Sequence, residues 1–479
     1  MKIILFGLGN FYKENRETLH GISGLEIAAL TDNNDALWGR KVDGILVVPP
    51  AEILSVQYDN ILIMSLYKNE IFQQLVDLGV DEECIFTWDR FLAGQLSDSV
   101  KEFSEVLIEE GTGRNVLIIS QKLDYDGGSL AVWNAAMAMK RYDMTVCMAV
   151  PGGNGKLIDE IKSQGIMVVI CPTLPYVFGK DKNWIGKFDV VMVNLFTMLE
   201  SAYEISKFRP VLWWIHEAEF IYQPVLDQYP VCVRKEQFLK INICSVSRAA
   251  KENFNHMFDD KCRNILMLGI PDVVSKMTPN IQNREKIVFA VIGTIYPIKA
   301  QHIFISAAAN VANGRNAEFW IIGKSADSDY YQKIDGMRRS QPRVKLLGEL
   351  TRTELYAIFR EIDVVVCTSP YESLPTVIIE AMMFGKVCIT TENTGIADYI
   401  QDGVNGYVVP AENVTALSET MERIMDSQNG LDKLKAAARE TYENYFTLEV
   451  FGMHLKRELM EAEQKWEECG VFQHYAECI

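Results

Sequence analysis

Strand-length apolar segments recur along most of this chain, and segments long enough for a helix separate them. They fall into three sets, which begin at KIILFGLG (2–9), NVLIIS (115–120) and KIVFAVIGT (286–294). Strands this apolar, alternating with helices, are typical of parallel sheets that are covered on both faces. The pattern therefore predicts an α/β protein built from three Rossmann-like units.

The positions where the pattern fades predict the domain organisation. A chain of 479 residues is too long for one ordinary core, so several domains are expected. The expected parts are a Rossmann-like accessory domain (1–95), a linker (96–113), a second domain (114–275), a third domain (276–445) and a charged helical tail (446–479).

Charge and composition narrow the class of protein. The formal net charge of −17 argues against nucleic acid as a partner, because phosphate neutralisation needs clustered Lys and Arg. It argues less strongly against an anionic membrane surface, so peripheral membrane contact stays open. The N-terminal segment MKIILFGLGN has too short an apolar run for a signal peptide, and no run approaches the roughly 20 residues of a membrane span. These features predict a cytoplasmic protein.

The stretch TSPYESLPTVIIEAMMFGKVCITT (368–391) carries two glutamates across the expected start of a helix. Ser373 is expected as the N-cap residue and Pro375 in the first turn. Glu372 then precedes the helix, and Glu380 lies about two turns beyond it. The free amides of a helix N-terminus favour a phosphate, and in an open parallel sheet this loop lies at the ligand-binding carboxyl edge. A diphosphate there would have a carboxylate on either side, each able to accept hydrogen bonds from hydroxyl groups.

This segment resembles the E-x7-E segment of retaining GT-B glycosyltransferases of family 4, and the resemblance continues in order from residue 115 to about 445. It implies the GT-B architecture, with an acceptor domain at 114–275 and a donor domain at 276–445. Residues 1–95 would then be an additional, third Rossmann-like domain. The resemblance also implies that a nucleotide sugar, the donor, binds between the acceptor and donor domains.

The resemblance assigns roles to single residues of this segment. It implies that Glu372 contacts the hydroxyl groups of the donor sugar and that Glu380 contacts the ribose. Ser373, Leu374 and Pro375 are expected to contact the donor at the start of the helix. The simpler interpretation is a capped helix with two solvated glutamates.

A second motif, VIGTIYPIKAQHIFISAAA (291–309), matches the family's stretch after the first strand of the donor domain. The family holds the diphosphate there with an Arg and a Lys, and a fixed cation at a leaving phosphate stabilises the transition state. Lys299 fills the Lys position, whereas Thr294 stands where the Arg is usual and Ala300 where a Gly is usual. Lys324, after WIIG, is a candidate to compensate. A solvated loop lysine is the simpler interpretation of Lys299.

A pair of glycines, Gly127 and Gly128 in LDYDGGSLAVWNAA, matches the family's glycine-rich loop in the acceptor domain. Glycines tolerate positive φ and let backbone amides approach a ligand. The resemblance therefore implies that both contact the donor. The alternative is that a strand-to-helix turn carries glycine for its shape alone.

His216 directly follows the apolar segment VLWWI. The resemblance implies that it lies near the sugar and the reacting centre, and the carboxyl end of a parallel strand is a site position. Packing under Trp213 or Trp214 is the alternative. Glu217 and Glu219 are further candidates for contacting the acceptor.

The DSD sequence at 327–329 imitates the D-x-D motif of metal-dependent transferases. It follows a Rossmann-type strand, where Asp commonly caps a helix, so capping is the expected role. Lys299 takes the cation role instead, and neither a metal ion nor another cofactor is expected.

The N-terminal segment LFGLGNFYKENR carries Gly7 and Gly9 after a strand, and Asp32 ends the next strand. A dinucleotide fingerprint would have a third glycine where Tyr12 stands. An NAD-dependent oxidoreductase and a docking or regulatory unit are the two alternatives for this region.

The resemblance carried by these motifs implies a retaining glycosyltransferase with His216, Lys299 and Glu372 as catalytic residues. It would move a hexosyl group from a nucleotide sugar to a glycan, a lipid-linked sugar or a protein, in polysaccharide or glycoconjugate synthesis. Thr294 keeps a second hypothesis open, in which a catalytically weak relative binds a sugar nucleotide or regulates a partner.

Overall fold

The computed structural model describes residues 1–96, 113–228, 235–274, 286–312, 315–427 and 430–476. Three sheets with mainly parallel strands follow one another along the chain, and this confirms the predicted α/β fold class. The predicted linker at 96–113 lies outside the described residues except at its ends, and the predicted junction at 275–276 lies outside them entirely.

The first sheet comprises β1 (Lys2–Phe6), β2 (Glu26–Thr31), β3 (Lys41–Val42), β4 (Ile45–Val48), β5 (Asn60–Ile63) and β6 (Ile85–Thr87), with helices α1 (Asn10–His20), α2 (Lys68–Asp77) and α3 (Trp88–Leu96). The strand order is β3-β4-β2-β1-β5-β6, and neighbours run parallel except β3 and β4. Asp43 and Gly44 join that antiparallel pair with φ angles of 51° and 81°, as a two-residue hairpin turn requires. The apolar pattern did not predict this hairpin, although an Asp-Gly pair is its usual signal.

The second sheet comprises β7 (Asn115–Ile119), β8 (Thr145–Val150), β9 (Met167–Ile170), β10 (Val190–Asn194), β11 (Val211–Ile215), β12 (Ile241–Ser245) and β13 (Asn264–Ile265). Its helices are α4 (Gly127–Lys140), α5 (Gly155–Ser163), α6 (Gly179–Ile185), α7 (Leu199–Ser206), α8 (Tyr222–Gln228) and α9 (Arg248–Phe258). The strand order is β13-β12-β11-β10-β7-β8-β9, with parallel neighbours. The order reverses between β7 and β10, which creates a crevice at their carboxyl ends.

The third sheet comprises β14 (Ile287–Ile292), β15 (Ala317–Ile322), β16 (Val344–Gly348), β17 (Val364–Val366), β18 (Val387–Thr391) and β19 (Tyr407–Val409). Its helices are α10 (Gln301–Asn310), α11 (Ser328–Arg339), α12 (Arg352–Ile358), α13 (Thr376–Met383), α14 (Val414–Asp426) and α15 (Leu431–Tyr445). The strand order is β16-β15-β14-β17-β18-β19, again with parallel neighbours. Its order reverses between β14 and β17, so this sheet also has a crevice at the carboxyl edge.

The C-terminal helix α16 (Leu448–Ala476) follows the third sheet in the chain but packs on the second. Phe451 stacks on Trp214 with ring centroids 5.5 Å apart, and Trp466 Nε1 donates to the Ser206 carbonyl at 2.8 Å. Residues of α16 share one continuous apolar core with both sheets. The helix therefore holds the second and third sheets together. No helix within the described part of the chain combines the length and apolar character needed to cross a bilayer.

Candidate active site

A cavity of about 540 Å³ opens between the carboxyl edges of the second and third sheets. It lies at the strand-order reversals, where open α/β sheets bind ligands. The ten residues predicted for catalysis or donor binding all line it: Gly127, Gly128, His216, Thr294, Lys299, Glu372, Ser373, Leu374, Pro375 and Glu380. A larger cavity of about 1570 Å³, along α16, contains none of these residues.

The start of α13 differs from the prediction. Pro375 is the N-cap residue, Thr376 is the first helical residue, and no side chain caps the helix. The predicted capping role of Ser373 and the predicted helical position of Pro375 are therefore wrong. The reason is that the chain before the helix is held extended, because Glu372 forms a β-bridge with Thr394.

Without a side-chain cap, the first amide groups of α13 have no partner of their own within the helix. Thr376 and Val377, which carry these amides, both line the cavity. Leu374, just before the helix, is 7 % exposed and packs in the core beneath it. The cavity thus meets the positive end of a helix dipole, an arrangement that favours an anion.

Lys299 and Glu372 form an ion pair across the loops that follow β14 and β17. Ser369 Oγ donates to Glu372 Oε1 at 3.0 Å, and Thr368 Oγ1 donates to the Lys299 carbonyl at 2.8 Å. The side chains of Lys299 and Glu372 keep 34 % and 19 % of their surface exposed. Both charges are therefore fixed in position and remain accessible from the cavity.

The loop after β14 carries the departures from the family pattern. Thr294 lines the cavity, and its carbonyl accepts a hydrogen bond from Gln301 Nε2 at 2.9 Å. Ala300 has φ 50° and ψ 39°, a left-handed conformation that disfavours residues other than Gly. This backbone conformation therefore explains why the family usually has a glycine at this position. Lys324 is exposed and does not line the cavity, so it does not replace the missing Arg.

Arg352 and Tyr356, both on α12, form a polar cluster with Glu380 that was not predicted from the sequence. Arg352 Nη2 donates to Glu380 Oε1 at 2.7 Å, and Arg352 Nε donates to the Tyr356 hydroxyl at 2.7 Å. Glu380 is 6 % exposed; burial raises the pKa of its carboxyl, and the charge of Arg352 lowers it. Arg352 also lines the cavity. Glu380 is thus a buried, paired carboxylate, and the interpretation as a solvated surface glutamate is wrong.

Gly127 and Gly128 are the first residues of α4, where Asp126 caps the helix by accepting from Ser129 N at 2.9 Å. Neither glycine has a positive φ, so the conformational part of the predicted reason is wrong, whereas the approach of their amides to a ligand stays a prediction. A Cβ placed on Gly127 would lie 3.9 Å from Thr376 Cγ2, an ordinary van der Waals distance. The starts of α4 and α13 thus come close on the two walls of the cavity, but this contact does not itself require a glycine.

His216 lies between the cavity and the core of the second sheet. Its ring meets the Trp214 ring edge-on, with centroids 4.2 Å apart, so the packing interpretation holds for this contact. Its Nε2 is buried and bonds to no group among the described residues. Burial lowers the pKa of His216 to about 3, so its imidazole is neutral at physiological pH. The cavity is thus lined by a neutral histidine with one unpaired nitrogen.

Glu217 fixes the backbone around His216. Its carboxylate accepts from Phe196 N at 2.6 Å and from His216 N at 3.0 Å, and burial raises its pKa to about 7. It lines the cavity, whereas Glu219 does not and pairs with His256 at 3.2 Å. Of the two further acceptor candidates, only Glu217 therefore faces the cavity.

Asp327 caps α11 by accepting from Tyr330 N at 2.8 Å, which confirms the predicted capping role of the DSD sequence. Within the described ranges, no group of three or more His, Cys, Asp or Glu side chains has the arrangement needed to hold a metal ion.

In the glycine loop of the first sheet, the side chains that a dinucleotide site would use are already bonded or packed within this unit. Asp32 accepts from Leu8 N at 2.7 Å through one oxygen and from Asn34 N at 2.8 Å through the other. Tyr12 is 1 % exposed and fills the core, with its hydroxyl donating to Asp43 at 2.7 Å. Because Asp32 is already engaged and Tyr12 occupies the third glycine position, this loop differs from a dinucleotide site in two respects.

Comparisons with known proteins match two parts of the chain to described families. Residues 275–441 match the family described as glycosyl transferases group 1, and residues 1–86 match the family C2185-like, N-terminal. An alpha-D-kanosaminyltransferase of Streptomyces kanamyceticus is 29% identical over 136 residues, which are 28% of this chain and 35% of the relative. An uncharacterized glycosyltransferase of Methanocaldococcus jannaschii is 25% identical over 237 residues, 48% of this chain and 59% of the relative. The chain thus spans less than two thirds of the length of these curated relatives.

Solved structures share the fold at low sequence identity. Anabaena Alr3699/HepE in complex with UDP has a TM-score of 0.62 and 18% identity, covering 72% of this chain and 100% of that structure. Sucrose-phosphate synthase from Thermosynechococcus elongatus has a TM-score of 0.58 and 15% identity, covering 73% and 100%. The second and third sheets with the cleft between them therefore form a GT-B fold, and residues 275–441 resemble the glycosyl transferases group 1 family.

Proposed function

We propose that this protein is a retaining glycosyltransferase of the family 4 type. It transfers a hexosyl group from a nucleotide sugar to a glycan, lipid-linked or protein acceptor, in polysaccharide or glycoconjugate synthesis. The observation that carries the proposal is the meeting of a lysine, two glutamates and the amide end of α13 in one cavity. A cation and free amides complement a diphosphate, and carboxylates complement the hydroxyl groups of a sugar and a ribose.

In this proposal the Lys299 ammonium and the first amides of α13 hold the diphosphate. Glu372 and His216 contact the hexosyl group, and Glu380 contacts the ribose. As the bond between the anomeric carbon and the phosphate oxygen breaks, negative charge develops on that oxygen, and the fixed donors stabilise it. The acceptor oxygen bonds to the anomeric carbon on the same face and gives its proton to the departing phosphate oxygen. Configuration is therefore retained.

The ion pair between Lys299 and Glu372 has a role before the donor binds. It holds both side chains towards the cavity while each partner neutralises the other. When the donor enters, the diphosphate takes the Lys299 contact and the sugar hydroxyls take the Glu372 contact. Before the donor binds, the ion pair thus holds both side chains close to the positions in which they will contact the donor.

The proposal assigns the positive charge at the diphosphate to Lys299 and not to a metal ion. Activity is therefore expected to persist in EDTA. The accessory role proposed for residues 1–95 is docking or regulation, because the Asp32 carboxylate is already engaged within its own loop.

A donor screen tests the proposed function. Purified protein is mixed with UDP-, GDP- and ADP-sugars, with and without EDTA, and both the melting temperature and the release of free sugar are measured. Because Anabaena Alr3699/HepE has been crystallised with UDP-glucose, UDP-sugars come first. We expect one nucleotide class to raise the melting temperature and to be slowly hydrolysed.

A matched pair of variants assigns that activity to the cavity. Glu372→Gln should abolish sugar release, whereas Glu349→Gln, at an exposed residue outside the cavity, should leave it unchanged. If no nucleotide sugar raises the melting temperature of the wild type, the proposal fails.

A second candidate function is nucleotide-sugar binding without transfer. The observation that favours it is Thr294, which leaves Lys299 as the cation on the loop after β14 where the family has two. The same screen separates the candidates, since a binding protein would gain thermal stability with a nucleotide sugar but release no sugar.

A further inference from the structure

We propose that Arg352 is the positioning residue of the ribose subsite: it balances the charge of Glu380 and orients its carboxylate towards the cavity. This inference rests on the proposed function, in which Glu380 accepts hydrogen bonds from the ribose. It adds a residue that the family pattern around the two glutamates does not contain.

The geometry of the cluster supports this role. Arg352 Nη2 and the Tyr356 hydroxyl both approach the same oxygen of Glu380, Oε1, at 2.7 and 3.4 Å. Neither contact uses Oε2, so Oε2 remains the oxygen for a ligand hydroxyl. The Arg352 guanidinium is itself fixed, because its Nε donates to Tyr356 and its Cζ lies 5.1 Å from the Tyr356 ring centroid.

Burial explains why Glu380 needs such a partner. A carboxylate that is 6 % exposed loses most of its hydration, and an unpaired buried charge would take up a proton instead. A protonated carboxyl group is a poorer acceptor for ribose hydroxyls. Arg352, whose side chain is 37% exposed at the rim, supplies the compensating charge without filling the subsite.

Other charged groups near α13 are engaged elsewhere. On α15, which packs against α13, Arg439 pairs with Asp272 and Lys435 pairs with Asp363. The wall opposite Glu380 contributes Gly127, Leu130, Ala131, Asn134, Leu268 and Ile270, none of which is charged. Lys299 and Glu372, in the same cavity, pair with each other. Among the described residues, Arg352 is therefore the cation that acts on Glu380.

The cavity thus holds two cation–carboxylate pairs with separate tasks. Lys299–Glu372 lies where the diphosphate and the sugar are proposed to bind, and Arg352–Glu380 lies where the ribose is proposed to bind. Arg352 is accordingly not a substitute for the Arg that Thr294 replaces. Its effect should appear in nucleotide affinity more than in turnover.

The test is isothermal titration of the full chain between pH 5.5 and 8.5, with whichever of UDP, GDP and ADP binds the wild type. Arg352→Ala and Arg352→Gln remove the charge, Arg352→Lys keeps it, and Glu380→Gln removes the titrating group. The terminal phosphate of the nucleotide itself titrates at about pH 6, so the wild type sets the reference pH profile. We expect Arg352→Lys to follow this profile at nearly wild-type affinity. Glu380→Gln should bind at least about tenfold more weakly than the wild type, by a factor that does not change with pH.

The variants without the charge should lose affinity as the pH falls. The carboxyl of Glu380 has a raised pKa because of burial, and removing Arg352 removes the larger of the two interactions that lower it, the other being the hydrogen bond from Tyr356. The fraction of ionised Glu380 in Arg352→Ala and Arg352→Gln therefore decreases from pH 8.5 to pH 5.5, and we expect their affinity relative to the wild type to fall about tenfold over that range. If Arg352→Ala does not fold, the pair Arg352→Gln and Arg352→Lys makes the same comparison.

Each result decides for or against the inference. Wild-type affinity at every pH in Arg352→Gln, together with weak binding by Glu380→Gln, would overturn the role of Arg352 and leave the proposed function intact. A loss in Arg352→Gln whose ratio to the wild type does not change with pH would also overturn it, because a purely structural role predicts that result. If none of the three nucleotides binds the wild type, both the inference and the proposed function fail.

Discussion

The two walls of the cavity, one from the second sheet and one from the third, differ in the charge and pairing of their polar side chains. The wall from the second sheet presents glycines, the neutral imidazole of His216, whose Nε2 has no partner among the described residues, and Glu217, whose pKa burial raises to about 7. The wall from the third sheet, the charged wall, presents two ion pairs, Lys299–Glu372 and Arg352–Glu380. The difference suggests a division of labour: the fixed ion pairs receive the anionic nucleotide, and the wall where burial favours uncharged side chains receives the uncharged reacting groups.

The largest expected effect comes from removing the positive charge of Lys299 from the charged wall. Lys299→Ala should lower turnover of the best donor by about 100-fold, because an electrostatic donor at a developing negative charge is usually worth that much. Lys324→Ala is the matched control, since Lys324 is an exposed lysine on the same sheet that does not line the cavity. Steady-state rates of sugar release measure both.

Two results would contradict the assignment to the charged wall. One is a rate in Lys299→Ala within about twofold of the wild type. The other is an equal loss in Lys299→Ala and Lys324→Ala, which would indicate a general effect of net charge.

The uncharged state of His216 on the second wall predicts how the free energy of unfolding depends on pH. His216 has a pKa of about 3 in the folded protein and an ordinary value near 6.5 when unfolded. Between these values the unfolded chain binds the extra proton, so the stability supplied by the neutral imidazole is present above about pH 6.5 and lost as the pH falls. The wild type should therefore lose about 1.4 kcal/mol per pH unit relative to His216→Phe.

Denaturant unfolding of both proteins at pH 6.5 and pH 5 measures this difference. His20→Phe, at an exposed histidine of the first sheet's unit, is the control and should follow the wild type. If His216→Phe shows the same pH dependence as the wild type, His216 takes up its proton as readily in the folded state as in the unfolded chain, and burial does not hold its imidazole neutral.

The smallest expected effect concerns backbone strain on the charged wall. Ala300 has a positive φ, whereas the glycines of the opposite wall do not. Ala300→Gly should raise the free energy of unfolding by up to about 1 kcal/mol, because glycine adopts this conformation freely. Ala307→Gly, in the middle of α10, should lower it by about 1 kcal/mol. Changes of opposite sign in the free energy of urea unfolding would support backbone strain at Ala300. A lower free energy of unfolding in both variants would contradict it.

Much of the cavity could be predicted from the sequence because its residues follow directly after apolar strands. Lys299, Glu372 and His216 each lie in a loop at the carboxyl end of a parallel strand, so predicting the strands also brings the loops together. Local motifs then identify the side chains. The fold class follows from the same apolar segments.

The remaining features depend on contacts between segments that are distant in the chain. Arg352 is the first residue of α12, and the local sequence there indicates only the cap of the helix. The contact between Arg352 and Glu380 depends on how α12 packs beside α13. Likewise, the return of α16 to the second sheet depends on contacts such as Phe451 on Trp214. Apolar periodicity indicates that a face is buried but not which surface covers it.

A crystal structure with the best nucleotide sugar tests the central claim most directly. The account predicts the diphosphate beside Lys299 and the amides of Thr376 and Val377, with the Lys299–Glu372 ion pair opened and Glu380 within hydrogen-bond distance of the ribose. A structure with the nucleotide bound outside this cavity, or with that ion pair intact and the cavity empty, would contradict it.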